Sequence, residues 1–327
     1  MKELENRIFS IQSSADFEQA ALETFQYQAS HSQVYGKYLE LLKCDLSKVK
    51  RTEDIPFLPI GFFKTHSIRA FDGKPEIEFL SSGTTGMSQS KHEVFSKAVY
   101  ERSFKTAFHQ FYGDTKDLTI LALLPNYLER EGSSLIYMVD DLIRSSTSSY
   151  SGFYLNNTQD LIERLNGLEL NRVPTLLIGV SYALLDLIEQ HPLELKHTTV
   201  METGGMKGRR KEMVKAELHQ TLSEGFGVTH IHSEYGMTEL LSQAYSKKNQ
   251  LFYAPPWMKV LVRDPNDPFQ IMPQGQSGGM NIIDLANLYS CSFIASQDLG
   301  RTYADGGFEV LGRFDNSDIR GCNLLVQ

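Results

Sequence analysis

The 327 residues predict an α/β fold in which a mostly parallel sheet is flanked by helices and followed by a smaller β-rich part. Short, apolar, β-branched-rich runs at 118–124 (LTILALL), 175–180 (TLLIGV), 198–202 (TTVME) and 229–232 (THIH) alternate with helical segments at 133–144, 181–190 and 208–223. Strands buried on both faces read as unbroken apolar runs, and a βαβαβαβ order supplies helices to cover a parallel sheet. After about residue 250 the pattern changes to WMKVLVRD, GGMNIIDL, SCSFIA and GFEVLGR, strand-like pieces separated by Pro, Gly and Asn turns. Apolar side chains make up 41% of the chain, enough at this length for about two domains of roughly 150 residues each.

Taken in order, Phe17, Ala20, Ala21, Phe25, Tyr35, Tyr38 and Leu42 recur at helical spacings, and Ser13 three before Asp16 forms a capping box. Pro56 and Pro59 interrupt regular structure, and a short strand at 77–80 then runs directly into SSGTTG. Ser96 caps a helix whose apolar stripe is Val99, Phe104, Ala107, Phe108 and Phe111 and which Gly113 ends. The expected division is a helical N-terminal region at 1–75, an α/β core at 76–250 and a β-rich subdomain at 251–327. No repeat or low-complexity tract is visible.

Several classes are excluded early. Lys and Arg total 32 against 40 Asp and Glu, a net charge of −8, which disfavours broad nucleic-acid binding. The longest apolar stretches, such as 176–188 with Ser181 and Asp186 inside it, fall short of the ~20 residues of a membrane span. The N-terminal MKELENRIFS mixes charges without an apolar segment and does not read as a secretory signal, so a cytoplasmic protein is expected. Three cysteines, Cys44, Cys291 and Cys322, with no CxxC, argue for reduced thiols rather than a disulfide framework or zinc site.

The candidate chemistry sits in three places. Ser81-Ser82-Gly83-Thr84-Thr85-Gly86 follows a strand, with Lys91 five residues past the second glycine. Glycines let backbone N–H groups turn toward an anion, hydroxyls add donors and a lysine supplies a point charge, so the loop suits phosphate; an ordinary polar hairpin turn is the alternative. Tyr235-Gly236-Met237-Thr238-Glu239 follows the THIH run and is expected to open a helix. A carboxylate there can hold Mg²⁺ beside substrate phosphates, or Thr and Glu can simply cap the first turn. Asp298, expected to follow a strand in QDLG, suits ribose hydroxyls and Arg313 suits phosphate or ribose, though either suits a surface salt bridge equally.

The ordered set SSGTTG with Lys91, Gly204-Gly205, YGMTE, QDLG and GRFDNSDIRG resembles the adenylate-forming (acyl-activating) superfamily, over roughly residues 55–327. Within it, METGGMKGRR, SEYGMTELLSQAY and LGRFDNSDIRGCNLLV look like the LuxE-like acyl-protein synthetases, with similarity also to phenylacetate-CoA-ligase-type enzymes. The resemblance implies ATP and Mg²⁺ as cofactors. It implies Ser81–Gly86 and Lys91 over the ATP phosphates, Gly204 and Gly205 against adenine with Tyr235 and Gly236 beside the nucleotide, and Thr238 at the α-phosphate. It further implies Glu239 on Mg²⁺, Asp298 on ribose and Arg313 on ribose or phosphate. The substrate would be a fatty or related carboxylic acid, and the partner an acyl reductase or acyltransferase. Superfamily members carry a mobile C-terminal domain with an adenylation lysine after the GRxDD-like motif; here the chain stops twelve residues after Asp315, so the resemblance implies the N-terminal core with that domain absent. Cys322 matches by position the cysteine near the C-terminus that accepts the acyl group in LuxE-like enzymes; a buried structural cysteine is the alternative.

Other features are weighed against this set. Lys207, Arg209, Arg210 and Lys211 could dock an acidic partner or the 3'-phosphate of coenzyme A, or simply form a solvated helix face. His230 and His232 are expected to share one strand face, and Gly179-Val180-Ser181-Tyr182-Ala183 sits where a hydrolase nucleophile elbow would, with Ala183 in place of its last glycine. A nucleotide-binding scaffold without activity is the remaining alternative.

Overall fold

The computed structural model describes residues 2–81, 89–125, 132–204 and 213–314. Its helices are α1 (Lys2–Ile8), α2 (Ser14–His31), α3 (Gln33–Leu41), α4 (Lys97–Tyr112), α5 (Ser134–Ser145), α6 (Thr158–Leu170), α7 (Ser181–Gln190) and α8 (Lys215–Phe226). The first seven strands are β1 (Leu58–Pro59), β2 (Ile77–Leu80), β3 (Lys91–Val94), β4 (Thr119–Leu123), β5 (Gly152–Phe153), β6 (Thr175–Gly179) and β7 (Thr198–Glu202). The remaining seven are β8 (His232–Tyr235), β9 (Ala244–Ser246), β10 (Phe252–Tyr253), β11 (Met258–Arg263), β12 (Ser277–Asp284), β13 (Phe293–Thr302) and β14 (Phe308–Arg313). The chain divides into two compact units, Met1–Asp72 with Pro256–Gln327, and Gly73–Pro255.

In the first unit the N-terminal helices fold onto the C-terminal strands, where the sequence suggested separate segments at 1–75 and 251–327. The strands form an antiparallel meander β11-β12-β13-β14, and β1 runs parallel to β13. Phe293 is the hub of the packing: Phe25, Tyr35 and Phe57 place their rings 6.0–6.3 Å from it. The buried amide of Gln28 on α2 donates to the carbonyls of Asn287 and Leu288 and accepts from Ser292 N–H at 2.9 Å, satisfying backbone groups of the β12–β13 connection. The expected capping box is present, Asp16 N–H on Ser13 Oγ at 3.1 Å and Ser13 N–H on Asp16 Oδ2 at 3.0 Å.

The second unit holds the parallel strands in the order β5-β4-β6-β7-β8, followed by antiparallel β9 and β10. Strands β4 and β6 are buried at every position, as their unbroken apolar runs require. The chain leaves β4 to place β5 on one side, then crosses back to place β6 on the other. Sheets of this type bind ligands beyond the carboxyl ends of the strands at such a reversal. Strands β2 and β3 form a separate antiparallel hairpin. Helix α4 begins at the expected cap, Val99 N–H on Ser96 Oγ, and ends at Gly113 with φ +81°.

Three expectations are corrected. The strand expected at 229–232 lies at His232–Tyr235, so His230 and His232 do not share a strand face. YGMTE does not open a helix: a turn over 236–240 reverses the chain into β9, which pairs back on β8. Asp298 lies inside β13 rather than after a strand. Helix α6, which has no expected counterpart, carries buried Leu161, Leu165 and Leu168 at i, i+4 and i+7 and is capped by Asn157, a signal present in the sequence. The basic residues Lys207, Arg209, Arg210 and Lys211 lie outside the described residues, as does the first part of the helix expected at 208–223. Among the described residues no helix is long and apolar enough to cross a membrane.

Close packing of α7 on α8 is set by Gly225: a Cβ there would lie 2.5 Å from Ile188 Cδ1 and 2.6 Å from its Cβ. Helix propensity favours Gly225→Ala by about 1 kcal/mol, but overpacking of this kind costs roughly 1–3 kcal/mol. Urea unfolding should find Gly225→Ala destabilised, with part of the loss recovered in the Ile188→Ala background; a neutral or stabilised Gly225→Ala would contradict this packing.

Candidate active site

The carboxyl ends of β6, β7 and β8 converge on one carboxylate. Gly179, Glu202 and Ser233 stand in register across the three strands. Glu202 is 1% exposed, and Lys215 Nζ lies 2.9 Å from its Oε1. Its other oxygen accepts from Gly204 N–H at 2.7 Å and from Ser181 Oγ–H at 3.3 Å. His219 Nε2 stands 3.5 Å from Oε1 and 3.2 Å from Ser233 Oγ. Burial alone would raise the Glu202 pKa; the Lys215 ammonium and the hydrogen bonds from His219 and Ser233 outweigh it and hold the carboxyl well below the usual range.

These contacts decide the role of Ser181. It is 1% exposed and donates to a carboxylate, while His219 engages Ser233 and Glu202 instead of accepting the serine's proton. A nucleophile elbow needs the opposite arrangement, an exposed hydroxyl hydrogen-bonded to a base.

One strand over, burial and the negative charge of Glu202 push the Glu234 carboxyl up to about 8, against the opposing pull of Lys215. Glu234 faces Tyr245 across β8–β9, and the ring of Tyr112 lies 5.4 Å from that of Tyr245. Gly236 packs close beside it: a Cβ there would come 2.5 Å from Glu234 Oε1, so a larger residue would displace that carboxyl. Burial also lowers the His232 imidazole to about 4, so it is neutral at pH 7, and its Nδ1 pairs with Tyr112 Oη at 3.1 Å.

The hydroxyl-rich loop is carried on the β2–β3 hairpin, whose mouth is closed by Ser90 N–H on Ser81 Oγ at 2.8 Å and Ser81 N–H on Ser90 O at 3.0 Å. Ser81 is therefore committed to closing the loop; Ser82, Gly83, Thr84, Thr85 and Gly86 lie outside the described residues. His92 on β3 donates from Nδ1 to the carbonyl of Thr238 at 2.8 Å, since a carbonyl only accepts. That bond joins the hairpin to the YGMTE turn, in which Glu239 is 5% exposed and Tyr235 sets its ring edge against Phe252 at 6.0 Å. Lys91 pairs with Glu78 and Glu93, each at 3.0 Å, and its hydrogen bonds to Glu78 and Glu93 raise its pKa. The alternation of Lys91 and Glu93 on one hairpin face carried that pairing in the sequence.

Two features at the end of β7 suit a bound group. Among the described residues, Thr203 Oγ1 is buried with no hydrogen-bond partner, and Gly204, at φ +65°, has nothing within 4 Å of where a Cβ would stand. Gly205 lies outside the described residues. In the other unit Asp298 and Arg313 are register partners of β13 and β14, with Arg313 Nε 3.2 Å from Asp298 Oδ1. Among the described residues no group of three or more His, Cys, Asp or Glu could hold a metal ion, and a cation placed at Glu239 would need oxygen ligands from a bound substrate as well. Cys291 is fully buried and burial pushes its thiol up to about 12, so it is structural; Cys322 lies outside the described residues.

Two measurements test this electrostatic arrangement. Lys215→Met strips the principal cation from a buried carboxylate, a change worth about 3–5 kcal/mol, at the low end here because Gly204 N–H and His219 remain; denaturant unfolding at pH 7 reads it. Glu234 has a folded pKa above its unfolded value of 4.5, so its contribution is fully present below about pH 4.5 and is lost as pH rises through about 8. Glu234→Gln should therefore raise the Tm relative to wild type at pH 9 and lose that advantage near pH 4.5; a difference independent of pH would contradict the assignment.

No family model and no curated protein sequence matches the chain. Solved structures do. 2-Hydroxyisobutyryl-CoA ligase in complex with 2-HIB-AMP and CoA in the thioesterification state matches with a TM-score of 0.67 at 15% identity, over 94% of this chain and 70% of that one. The same ligase in the postadenylation state with 2-HIB-AMP gives 0.66 at 14%, over 93% and 69%. ATP-bound MatB from Rhodopseudomonas palustris gives 0.54 at 19%, over 74% of this chain and 49% of that one, so the chain spans about half the length of MatB. Likeness at these identities carries the fold alone: the chain shares the fold of these proteins, a helix-flanked sheet with a β-rich C-terminal part.

Proposed function

We propose that the chain is an ATP-dependent acid ligase that activates a carboxylic acid as acyl-AMP and passes the acyl group to Cys322, acting as an acid:protein ligase of the LuxE-like kind. The observation that carries the reading is the His92–Thr238 hydrogen bond, which holds the stem of the hydroxyl-rich loop against the YGMTE turn. The unpartnered Thr203 hydroxyl and the open space over Gly204 support a nucleotide at the carboxyl end of β7.

In this reading Ser82 to Gly86 supply N–H and hydroxyl donors to the phosphates, with Ser81 closing the loop. Lys91 exchanges one of its carboxylate partners for a phosphate oxygen. Gly204 and Gly205 let the backbone approach adenine, Tyr235 and Gly236 border it, Asp298 accepts from ribose hydroxyls, and Arg313 meets ribose or phosphate. Thr238 donates to the α-phosphate, and Glu239 would hold Mg²⁺, which when bound supplies neutralising charge to the phosphate oxygens. A carboxylate oxygen of the acid attacks the α-phosphorus and pyrophosphate leaves, charge building on oxygens that preoriented donors stabilise. The Cys322 thiolate then attacks the acyl carbon and AMP leaves; the thioester delivers a fatty acyl group to an acyl reductase or acyltransferase. A cytoplasmic location agrees with reduced thiols.

A second reading, an acyl-CoA ligase of the phenylacetate-CoA-ligase type, is favoured by the similarity to a ligase crystallised with CoA. Pyrophosphate exchange in the presence of a chain-length panel of acids tests the shared first step. Second-sphere partners of a catalytic metal cost roughly 10–100-fold when removed, so Glu239→Gln should cost at least that. Hydroxylamine-labile acyl labelling should vanish in Cys322→Ser; label that persists would move the acyl acceptor to another residue, and acyl-CoA formed by the Cys322→Ser variant favours the second reading. Exchange with no acid in the panel would overturn both.

A further inference from the structure

Past the end of β7, Thr203 N–H still donates to Gly179 O at 3.0 Å and continues the β6–β7 ladder. Gly204 comes next, in the left-handed region at φ +65°. Among the described residues nothing beyond its chain neighbours lies within 4 Å of where its Cβ would stand, so packing does not hold it. Glycine loses more backbone freedom on ordering than any other residue, and one without packing keeps a single conformation only where a hydrogen bond fixes it. The Gly204 N–H donates to Glu202 Oε2 at 2.7 Å.

A side chain accepting from the amide two residues on is a device of Asp and Asn turns. In this turn the acceptor is itself anchored. Glu202 is 1% exposed; its Oε2 also accepts from Ser181 Oγ–H at 3.3 Å, and its Oε1 is held by Lys215 Nζ at 2.9 Å. The same ammonium stands 4.7 Å from the centre of the Phe252 ring. Gly204 is thus tied to α7 and α8 through one carboxylate, while the space over it stays open.

On the adenylation reading, on which this rests, we propose that Glu202 is the positioning residue of the nucleotide site: it touches no substrate atom and sets the Gly204 turn in its binding conformation before ATP arrives. A turn that holds that conformation only about a tenth of the time binds ATP about tenfold more weakly.

The test compares wild type, Glu202→Gln, and two double variants in which Lys215→Met is joined to Glu202→Gln or to Glu202→Met. Neutral side chains of similar volume commonly replace a buried ion pair without loss of folding. The double variants differ in whether position 202 keeps an oxygen. With Lys215 replaced, the introduced amide turns its oxygen to Gly204 N–H and Ser181 Oγ–H, and its NH2 to the Ser233 hydroxyl or the His219 ring, both able to accept. With Lys215 present, the ammonium claims that oxygen and the NH2 meets Gly204 N–H donor to donor. Exchange of the Gly204 amide, followed by NMR on ligand-free protein carrying isotope-labelled glycine, should be slow in wild type and in Glu202→Gln/Lys215→Met and fast in the other two. The Kd for MgATP by calorimetry, and KM for ATP in pyrophosphate exchange, should follow the same order, about tenfold apart with kcat unchanged. A merely structural role would lower kcat and Tm and would not be rescued by Lys215→Met. Equal ATP affinity in the two double variants would overturn the inference alone; wild type that binds no ATP would overturn the adenylation reading and this inference with it.

Discussion

A carboxylate taken out of water at the end of a parallel strand must be met on every side, and Glu202 is met by four groups from three different elements. Lys215 and His219 come from α8, Ser181 from the first turn of α7, and the Gly204 N–H from the turn that leaves β7. Without those partners the cost of burying the charge would exceed the attraction of any single one. The strand ends, both helix starts and the left-handed turn at Gly204 are thus held to one another by the same group, which makes the carboxyl edge of the sheet a fixed frame.

The consequences spread to neighbouring residues through ordinary electrostatics. With Glu202 kept ionised, the next carboxyl along the edge, Glu234, is pushed up to about 8 by burial and by that negative charge. Two carboxyls within one sheet edge are thereby driven to opposite protonation states at pH 7, the pattern from which acid and base roles arise in catalytic sites. The aromatic rings of Tyr112 and Tyr245 on the Glu234 side, and of Tyr235 and Phe252 on the other, keep water from levelling the difference.

The first unit uses a polar network of a different kind. Gln28 and Arg263 are buried or part-buried side chains that satisfy backbone carbonyls of strands and connections distant in sequence. Asp298 stands within the field of Arg263 and against Arg313, so the candidate ribose carboxylate lies in an arginine-lined stretch of β13.

Much was legible in the order of the residues. The apolar runs of β4, β6 and β7, the Ser13 and Ser96 caps and the four C-terminal strands follow from local periodicity and capping chemistry, which need only near neighbours. The motif set also pointed to the fold, because SSGTTG and YGMTE carry their donors and carboxylate within a few residues. Local reading failed where a partner on another element chose the outcome. YGMTE turns into β9 instead of a helix because Tyr235 pairs with Ala244, and Asp298 is drawn into a strand because Arg313 stands opposite it. Lys91 is bound by two glutamates, and Ser181 is consumed by Glu202. Residue type and spacing settle which chemistry is available; pairing between elements settles which groups remain to perform it, since burial and hydrogen bonding act on distances in space and not along the chain.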